Sequence, residues 1–270
     1  MERTQSRFAA TDPTEYERFM GRWSERLAKP FLDFVGVRPG ERVLDVGCGT
    51  GVLTAALAAA GAQAVGIDAS EPYLDGARLR RSHPNITYEF GDIRSMRFAD
   101  ESFDACVSTF VLDIITEVEQ VVAEMRRVVR PGGVIASGVH DFWGGHSAFA
   151  LVWDTGSVLD EGIRALRDDL KAHPLGWAAG QAALWRKMGL ADVAEAPIVI
   201  SRDYASFADY WSNFTTGQGR LGSRLKEISD DVRGKIQQHV RAGYLAGLPD
   251  GPRFFPTIVR AVRGVVPGRP

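Results

Sequence analysis

The chain has 270 residues, 45% of them hydrophobic and 24% charged, enough to bury a full core as one large or two small domains. A net charge of −2 and a pI of about 6.2 lack the basic excess of a nucleic-acid binder, so no nucleic-acid partner is expected. No stretch reaches the roughly 20 apolar residues of a membrane span, MERTQSRFAATDP at the start has no signal-peptide core, and Cys48 and Cys106 read as free thiols, so a cytoplasmic protein is expected.

The first forty residues read as helical. Asp12, Pro13 and Glu15 form a helix start, and Tyr16, Phe19, Met20, Trp23 and Leu27 recur on one face. Gly21 weakens the middle of this helix, and Pro30 is expected to end or kink it. An alternation of strands and helices follows. RVLDVG (42–47) predicts a strand, Thr50–Ala60 a helix stopped by Gly61, and QAVGID (63–68) a second strand. Ser70 is placed to cap a helix running to about Arg81, ITYEF (86–90) reads as a third strand, and FDACVSTFV (103–111) as a fourth. Thr116 and Glu119 have capping-box spacing ahead of a valine-rich stripe ending at Val129, and RPGG (130–133) turns the chain into a fifth strand, VIASGVH (134–140). Arginines 78, 80, 81, 126, 127 and 130 fall late in predicted helices, where they suit the negative end of the dipole.

Beyond His140 the pattern loosens into a Gly-rich, then partly helical stretch. Trp177–Met188 predicts a helix and DVAEAPIVI (192–200) a strand. Ser206 is placed to cap a helix with Phe207, Tyr210, Trp211 and Phe214 on one face, two more helical stretches run to about Leu245, PTIVRAVRG (256–264) reads as a last strand, and the PGRP tail is expected to fray. Strands separated by helices argue a parallel sheet covered on both faces. The organisation expected is an N-terminal helical segment over residues 1–40 and one α/β domain over 41–265, with helical additions after strands five and six.

The segment VLDVGCGTGVL (43–53) sets three glycines, Gly47, Gly49 and Gly51, at alternate positions after an apolar strand. The dinucleotide fingerprint G-x-G-x-x-G/A needs a small residue at position 52, which is Val, and no Gly-Lys-Ser/Thr follows for a Walker loop. Asp45, Asp68 and Asp92 fall at or near the carboxyl ends of the first three strands, the edge where open α/β sheets bind ligands. Three carboxylates repel a pyrophosphate. They welcome a phosphate-free nucleoside with ribose, an adenine amine and positive charge, the parts of S-adenosylmethionine.

In family order and spacing, VLDVGCGTG (43–51), VGIDAS (65–70), GDI (91–93), FDACVS (103–108) and RPGG (130–133) resemble the class I, Rossmann-like methyltransferases that use S-adenosylmethionine. The N-terminal YERFMGRWSERLAKPFLDF also resembles small-molecule methyltransferases of the quinone-biosynthesis type. The resemblance implies a doubly wound, seven-stranded, mostly parallel sheet with its last strand antiparallel, and a helical N-terminal lid. It implies that backbone at Gly47, Cys48 and Gly49 holds the methionine part, that Asp68 holds the ribose with Ala69 behind the adenine, and that Asp92 takes the adenine amine with Ile93 over the ring. Thr109 and Phe110 would flank the transferring methyl. As part of a lid, Tyr16 would contact the methionine portion and Arg22 its carboxylate; the alternative for the helix bearing them is core packing. Asp45 either shares in the site or ties the loop through backbone hydrogen bonds, and Asp68 and Asp92 have the alternative of capping. Cys48 is read as a small residue in a tight turn.

Methyl transfer from a sulfonium is an in-line displacement in which the protein mainly positions the reactants, with a general base only where the acceptor must lose a proton. His140, at the end of the fifth strand, and Asp141 are the candidates for that base, against the reading that they serve the strand end structurally. The acceptor pocket has Trp143, His146, Tyr210 and Trp211 as candidate walls, against plain packing of the helical additions. His83, His140, His146, His173 and His239 show no i, i+4 pairing, so no metal site is expected. The function expected is methyl transfer to a small, apolar or aromatic acceptor. A non-catalytic sensor or scaffold that keeps the fold, and a nicotinamide-dependent oxidoreductase, stand as alternatives.

Overall fold

The computed structural model describes residues 12–177, 179–217 and 219–268. The segment expected to lack a signal-peptide core lies almost wholly outside these residues, as does the end of the tail expected to fray.

Seven strands form one sheet: β1 (Arg42–Val46), β2 (Gln63–Asp68), β3 (Ile86–Phe90), β4 (Phe103–Thr109), β5 (Val129–His140), β6 (Ala191–Tyr204) and β7 (Arg253–Val265). Their order is β3-β2-β1-β4-β5-β7-β6, with β7 antiparallel to both of its neighbours and every pair from β3 to β5 parallel. In β1 four consecutive residues are buried, as expected of a strand covered on both faces. Strand β1 pairs with β2 on one side and β4 on the other, so the order reverses there and leaves a crevice at the carboxyl ends of the strands.

Two hydrophobic layers cover this sheet. One packs α5 (Val118–Val128) and α8 (Gly180–Lys187) through Val121, Val122, Met125 and Trp185. The other packs α2 (Arg22–Val35) and α3 (Val52–Ala59) with the additions α6 (Ser147–Leu159), α9 (Phe207–Thr215), α10 (Gly219–Glu227) and α11 (Asp230–Leu245). Helix α4 (Glu71–Arg80) links β2 to β3, and α7 (Glu161–Ala172) packs on α6. Among the described residues no helix is long and apolar enough to cross a membrane.

The N-terminal segment departs from a plain helix. Asp12 caps a single turn, α1 (Pro13–Tyr16), with its carboxylate accepting from Thr14 and Glu15, and a π turn (Glu17–Gly21) joins it to α2. Pro30 does not end α2 but lies inside it. Its missing N–H leaves the carbonyl of the solvent-exposed Arg26 without its helical partner, while Trp23, Leu27, Phe31 and Val35 bury the opposite face and hold the helix.

Other boundaries shift for local reasons. The capping box at Thr116 does not form: Glu117 is the cap residue of α5 and bonds the Thr116 hydroxyl, while Glu119 reaches Lys187 at 2.5 Å. Strand β4 stops at Thr109 because Phe110 is left-handed, with φ of 61°. Strand β5 begins at Val129 and carries the irregularity at RPGG within it. Helix α8 starts at Gly180, short of the expected Trp177, and α3 spans only 52–59. Both β6 and β7 run longer than their apolar cores because they pair with each other along their whole length.

Candidate active site at the carboxyl edge of the sheet

The turn after β1 is held by its backbone. The N–H groups of Gly47 and Cys48 both donate to the Ile67 carbonyl, at 2.8 and 3.0 Å, and Gly51 N–H donates to the Cys48 carbonyl at 2.9 Å. Gly47 has φ of 71°, and a Cβ there would lie 2.5 Å from a Val111 methyl, so only glycine fits. This turn forms one wall of a cavity of about 370 Å³.

The acids play three different parts. Asp68 lines the cavity and accepts from the backbone N–H groups of Gly49 (2.9 Å) and Ser70 (2.8 Å). Burial pushes its carboxyl up, against those bonds. Asp92 also lines the cavity, where the Arg94 guanidinium grips it from 2.8 and 3.0 Å and holds its carboxyl below the usual range. Arg94 in turn bonds Glu117 at 3.0 Å. Asp45 does not reach the cavity; it is buried behind the turn, accepts from the Thr54 hydroxyl at 2.6 Å, and burial pushes it up to about 7. Cys48 is likewise buried beneath the turn, and desolvation raises its thiol well above the usual value, so it is unreactive.

The N-terminal segment closes the cavity from above. Tyr16, Phe19 and Met20 line it, and the Tyr16 ring lies over Gly49 and 4.8 Å from Tyr73. Arg22, on the next turn, faces away: it pairs with Asp209 at 3.3 Å and lies 4.1 Å over Trp23. Opposite, Ala69, Ile93, Thr109 and Phe110 line the wall, and left-handed Phe110 donates its N–H to the Gly138 carbonyl at 2.8 Å.

His140 lines the cavity at the end of β5, and a residue not anticipated from sequence orients it. Asp113, fully buried, accepts from His140 Nδ1 at 2.8 Å and from its backbone N–H at 3.0 Å on one oxygen. Burial pushes the Asp113 carboxyl up, but the His140 charge and hydrogen bonds outweigh it and hold the group below its ordinary value. An ionised Asp113 keeps the proton on Nδ1 and leaves Nε2, which is buried with no partner among the described residues, as the acceptor nitrogen. The ring sits in a stack of four: Phe110, His140, His146 and Phe149, with successive centroids 4.1, 4.8 and 4.2 Å apart. His146 lines the cavity too, and burial, then the charges of Arg202 and His140, hold it neutral.

Four remaining candidates lie elsewhere. Asp141 is committed to Arg260 at 2.7 Å and to the backbone N–H of Trp143. Trp143 is 59% exposed on the outer surface, where its indole donates to the Lys171 carbonyl. Tyr210 is fully buried in the helical layer with its hydroxyl on the Ala148 carbonyl, and Trp211 stacks on Phe207. The part of the cavity away from the glycine turn is walled by Phe142, Phe149, Trp153, Phe214 and Leu221. Asp113 did leave a trace in the sequence, as the one acid in the apolar run FVLDII (110–115). Among the described residues no group of three or more metal-ligating side chains converges.

The cavity fits a nucleoside sulfonium better than a dinucleotide. Asp68, Asp92 and Glu117 line it, and its two guanidinium groups are already engaged, Arg94 by Asp92 and Glu117 and Arg220 by Asp169.

Comparison with known proteins agrees. Residues 44–137 match a family described as methyltransferase domain. Demethylmenaquinone methyltransferase of Renibacterium salmoninarum is 40% identical over 123 residues, which is 45% of this chain and 51% of that protein. Ubiquinone biosynthesis O-methyltransferase of Mesorhizobium japonicum is 34% identical over 112 residues, 41% of this chain and 42% of that protein. The chain thus spans about half the length of the curated relatives it matches. Among solved structures, Haemonchus contortus phosphoethanolamine N-methyltransferase 2 superposes with a TM-score of 0.59 at 17% identity, covering 94% of this chain and 57% of that one. Residues 44–137 thus match a methyltransferase domain, and they lie within a seven-stranded sheet whose fold is shared with a solved methyltransferase.

Proposed function

We propose that this chain transfers a methyl group from S-adenosylmethionine to a small apolar or aromatic acceptor. The observation that carries this reading is one cavity that holds the glycine turn, Asp68 and Asp92 at one end and an oriented histidine among aromatic rings at the other. S-adenosylmethionine supplies, when bound, a methyl group already activated by its sulfonium.

The chain's own residues then bind, orient and shield. Gly47 and Gly49 let the backbone approach the methionine part, Asp68 takes the ribose hydroxyls, and Asp92 takes the adenine amine beside Ala69 and Ile93. Thr109 and Phe110 flank the methyl, while Tyr16, Phe19 and Met20 keep water out. Asp113 fixes the His140 tautomer so that Nε2 can accept a proton from an acceptor hydroxyl or acidic C–H. The quinone-biosynthesis names of the relatives support an aromatic hydroxyl or ring carbon as the methylated position.

Calorimetric titration with S-adenosylmethionine and S-adenosylhomocysteine tests the reading directly. Both are expected to bind at micromolar strength, and Asp68→Ala is expected to weaken them by about 1.5–3 kcal/mol, the loss of a hydrogen bond to a charged group. Absence of heat with both ligands rejects the proposal. Unchanged affinity in the variant removes Asp68 from the site.

A further inference from the structure

Beneath the cavity wall made by Met20, His146 and Phe149 lies a set of buried polar atoms that methyl transfer does not use. Arg202 stands at its centre. It occupies the inward face of β6 between Ile200 and Tyr204, in a row that is otherwise apolar or aromatic, and it is fully buried. Among the described residues its Nε and Nη1 make no hydrogen bond of normal geometry, Nη2 meets the thioether of Met20 at 3.9 Å, and the neutral Tyr204 phenol is the polar group beside it. The guanidinium carbon lies 5.1 Å from the Phe149 ring centroid and 5.5 Å from that of Trp23.

Other unpaired atoms gather on the same side of the sheet. Thr257 pairs with Ile200 across the antiparallel β6–β7 pair, and Phe255 with Arg202, so Thr257 and Arg202 are diagonal neighbours on one face. Among the described residues the Thr257 hydroxyl, His146 Nδ1 and both amide atoms of Asn213, on the helix packed against β6, are buried without hydrogen-bond partners, and the buried Tyr204 hydroxyl has Arg202 beside it. Arg22 is the other cation near Arg202, and it is matched by Asp209. Two guanidinium groups and one carboxylate leave one positive charge uncompensated. Burying such a charge costs several kcal/mol unless a partner is present.

We infer that the acceptor of the proposed reaction carries a carboxylate, which docks on Arg202 at the inner end of the cavity when the Met20 side chain turns aside. A guanidinium is shaped to bind a carboxylate, and a single negative charge balances the single positive one, whereas a phosphate monoester brings up to two. Methionine, unbranched and adaptable, is the wall residue suited to move. Tyr204, Thr257 and Asn213 supply neutral donors around the anion. This inference rests on reading the cavity as an acceptor site.

The test uses the full chain, free and loaded with S-adenosylhomocysteine. Calorimetry with 4-hydroxybenzoate and 4-hydroxycinnamate is compared with calorimetry of their amides. The acids are expected to bind at least about tenfold more tightly, a preference lost in Arg202→Met and partly restored in Arg202→Lys. Equal affinity for acids and amides, or no binding of either acid, overturns the inference. A second measurement needs no acceptor: Arg202→Met is expected to raise the thermal midpoint of the free protein, because a buried uncompensated charge is removed. A lower midpoint means the chain itself satisfies Arg202, and it overturns the inference. Failure of S-adenosylhomocysteine to bind rejects the methyl-transfer reading separately, while an acid preference in the free chain keeps the anion site.

Discussion

Asp113 Oδ2 receives both the ring and the backbone N–H of His140, so one carboxylate oxygen fixes the position and the tautomer of that histidine. Asp113→Asn removes the charge that favours a proton on Nδ1. Turnover is expected to fall by about 10²–10⁴-fold, the usual worth of general-base catalysis, while calorimetric affinity for S-adenosylhomocysteine stays unchanged. Equal losses of binding and turnover would make Asp113 a structural residue only. At this scale the sequence was read unevenly. The placement of Asp68 and Asp92 at the cavity was legible because each follows or ends a strand beside a glycine or small residue, whereas Asp113 was hidden by its irregular position after β4. Asp141 and Trp143 were misleading for the reverse reason: they directly follow the strand that points at the cavity, but the turn commits Asp141 to Arg260 inside the protein and carries Trp143 to the surface beside Lys171. Arg202 was not singled out, because the expected strand DVAEAPIVI stops at Ile200, two residues short of it.

The π turn between α1 and α2 is the element on which the lid depends. It presents Phe19 and Met20 to the cavity and lets the Glu17 carboxylate reach Arg81 at 2.7 and 2.9 Å. A Cβ on Gly21 would fall 2.2 Å from a Glu17 carboxylate oxygen. Gly21→Ala is therefore expected to displace Glu17 from Arg81 or straighten the turn, and straightening rotates Tyr16 by about 100° relative to α2. Binding of S-adenosylhomocysteine should weaken by about tenfold or more by calorimetry, with a stability loss near 1 kcal/mol by denaturant unfolding. Apolar spacing gave the helical content here, and the side-chain contacts that wind the π turn lie 64 residues apart in the chain. The same limit explains Pro30: propensity predicts a break, and the buried face of Trp23, Leu27 and Phe31 overrides it.

For the molecule as a whole, acid stability should report the ring stack. His146 is held neutral by burial and then by the charge of Arg202, so its folded pKa lies well below its ordinary value of about 6.5. A lowered folded pKa means that the unfolded chain takes up the proton first. The associated stability is present above about pH 6.5 and is lost as pH falls below it, at up to about 1.4 kcal/mol per pH unit. His146→Phe keeps a ring between His140 and Phe149 and should flatten this slope in denaturant titrations at pH 5 and pH 7. An unchanged slope would mean that His146 takes up no less of a proton in the fold than in the unfolded chain. The sheet itself was legible from alternating strands and helices, and the reversed seventh strand came from family resemblance. The layer of α6, α7 and α9–α11 was foreseen only as helical additions, because its packing on α2 and β6 is set by contacts distant in sequence.

The strand order has a consequence for biosynthesis. Because β7 sits between β5 and β6, the strand made last fills an interior slot, and β6 has no other partner in the sheet. A nascent chain emerging from the ribosome therefore holds two unmatched strand edges, those of β5 and β6, until residues 253–265 appear. Stop codons just upstream of that segment should yield insoluble rather than shortened but active product, and chaperone dependence should be heaviest in the interval before residues 253–265 emerge.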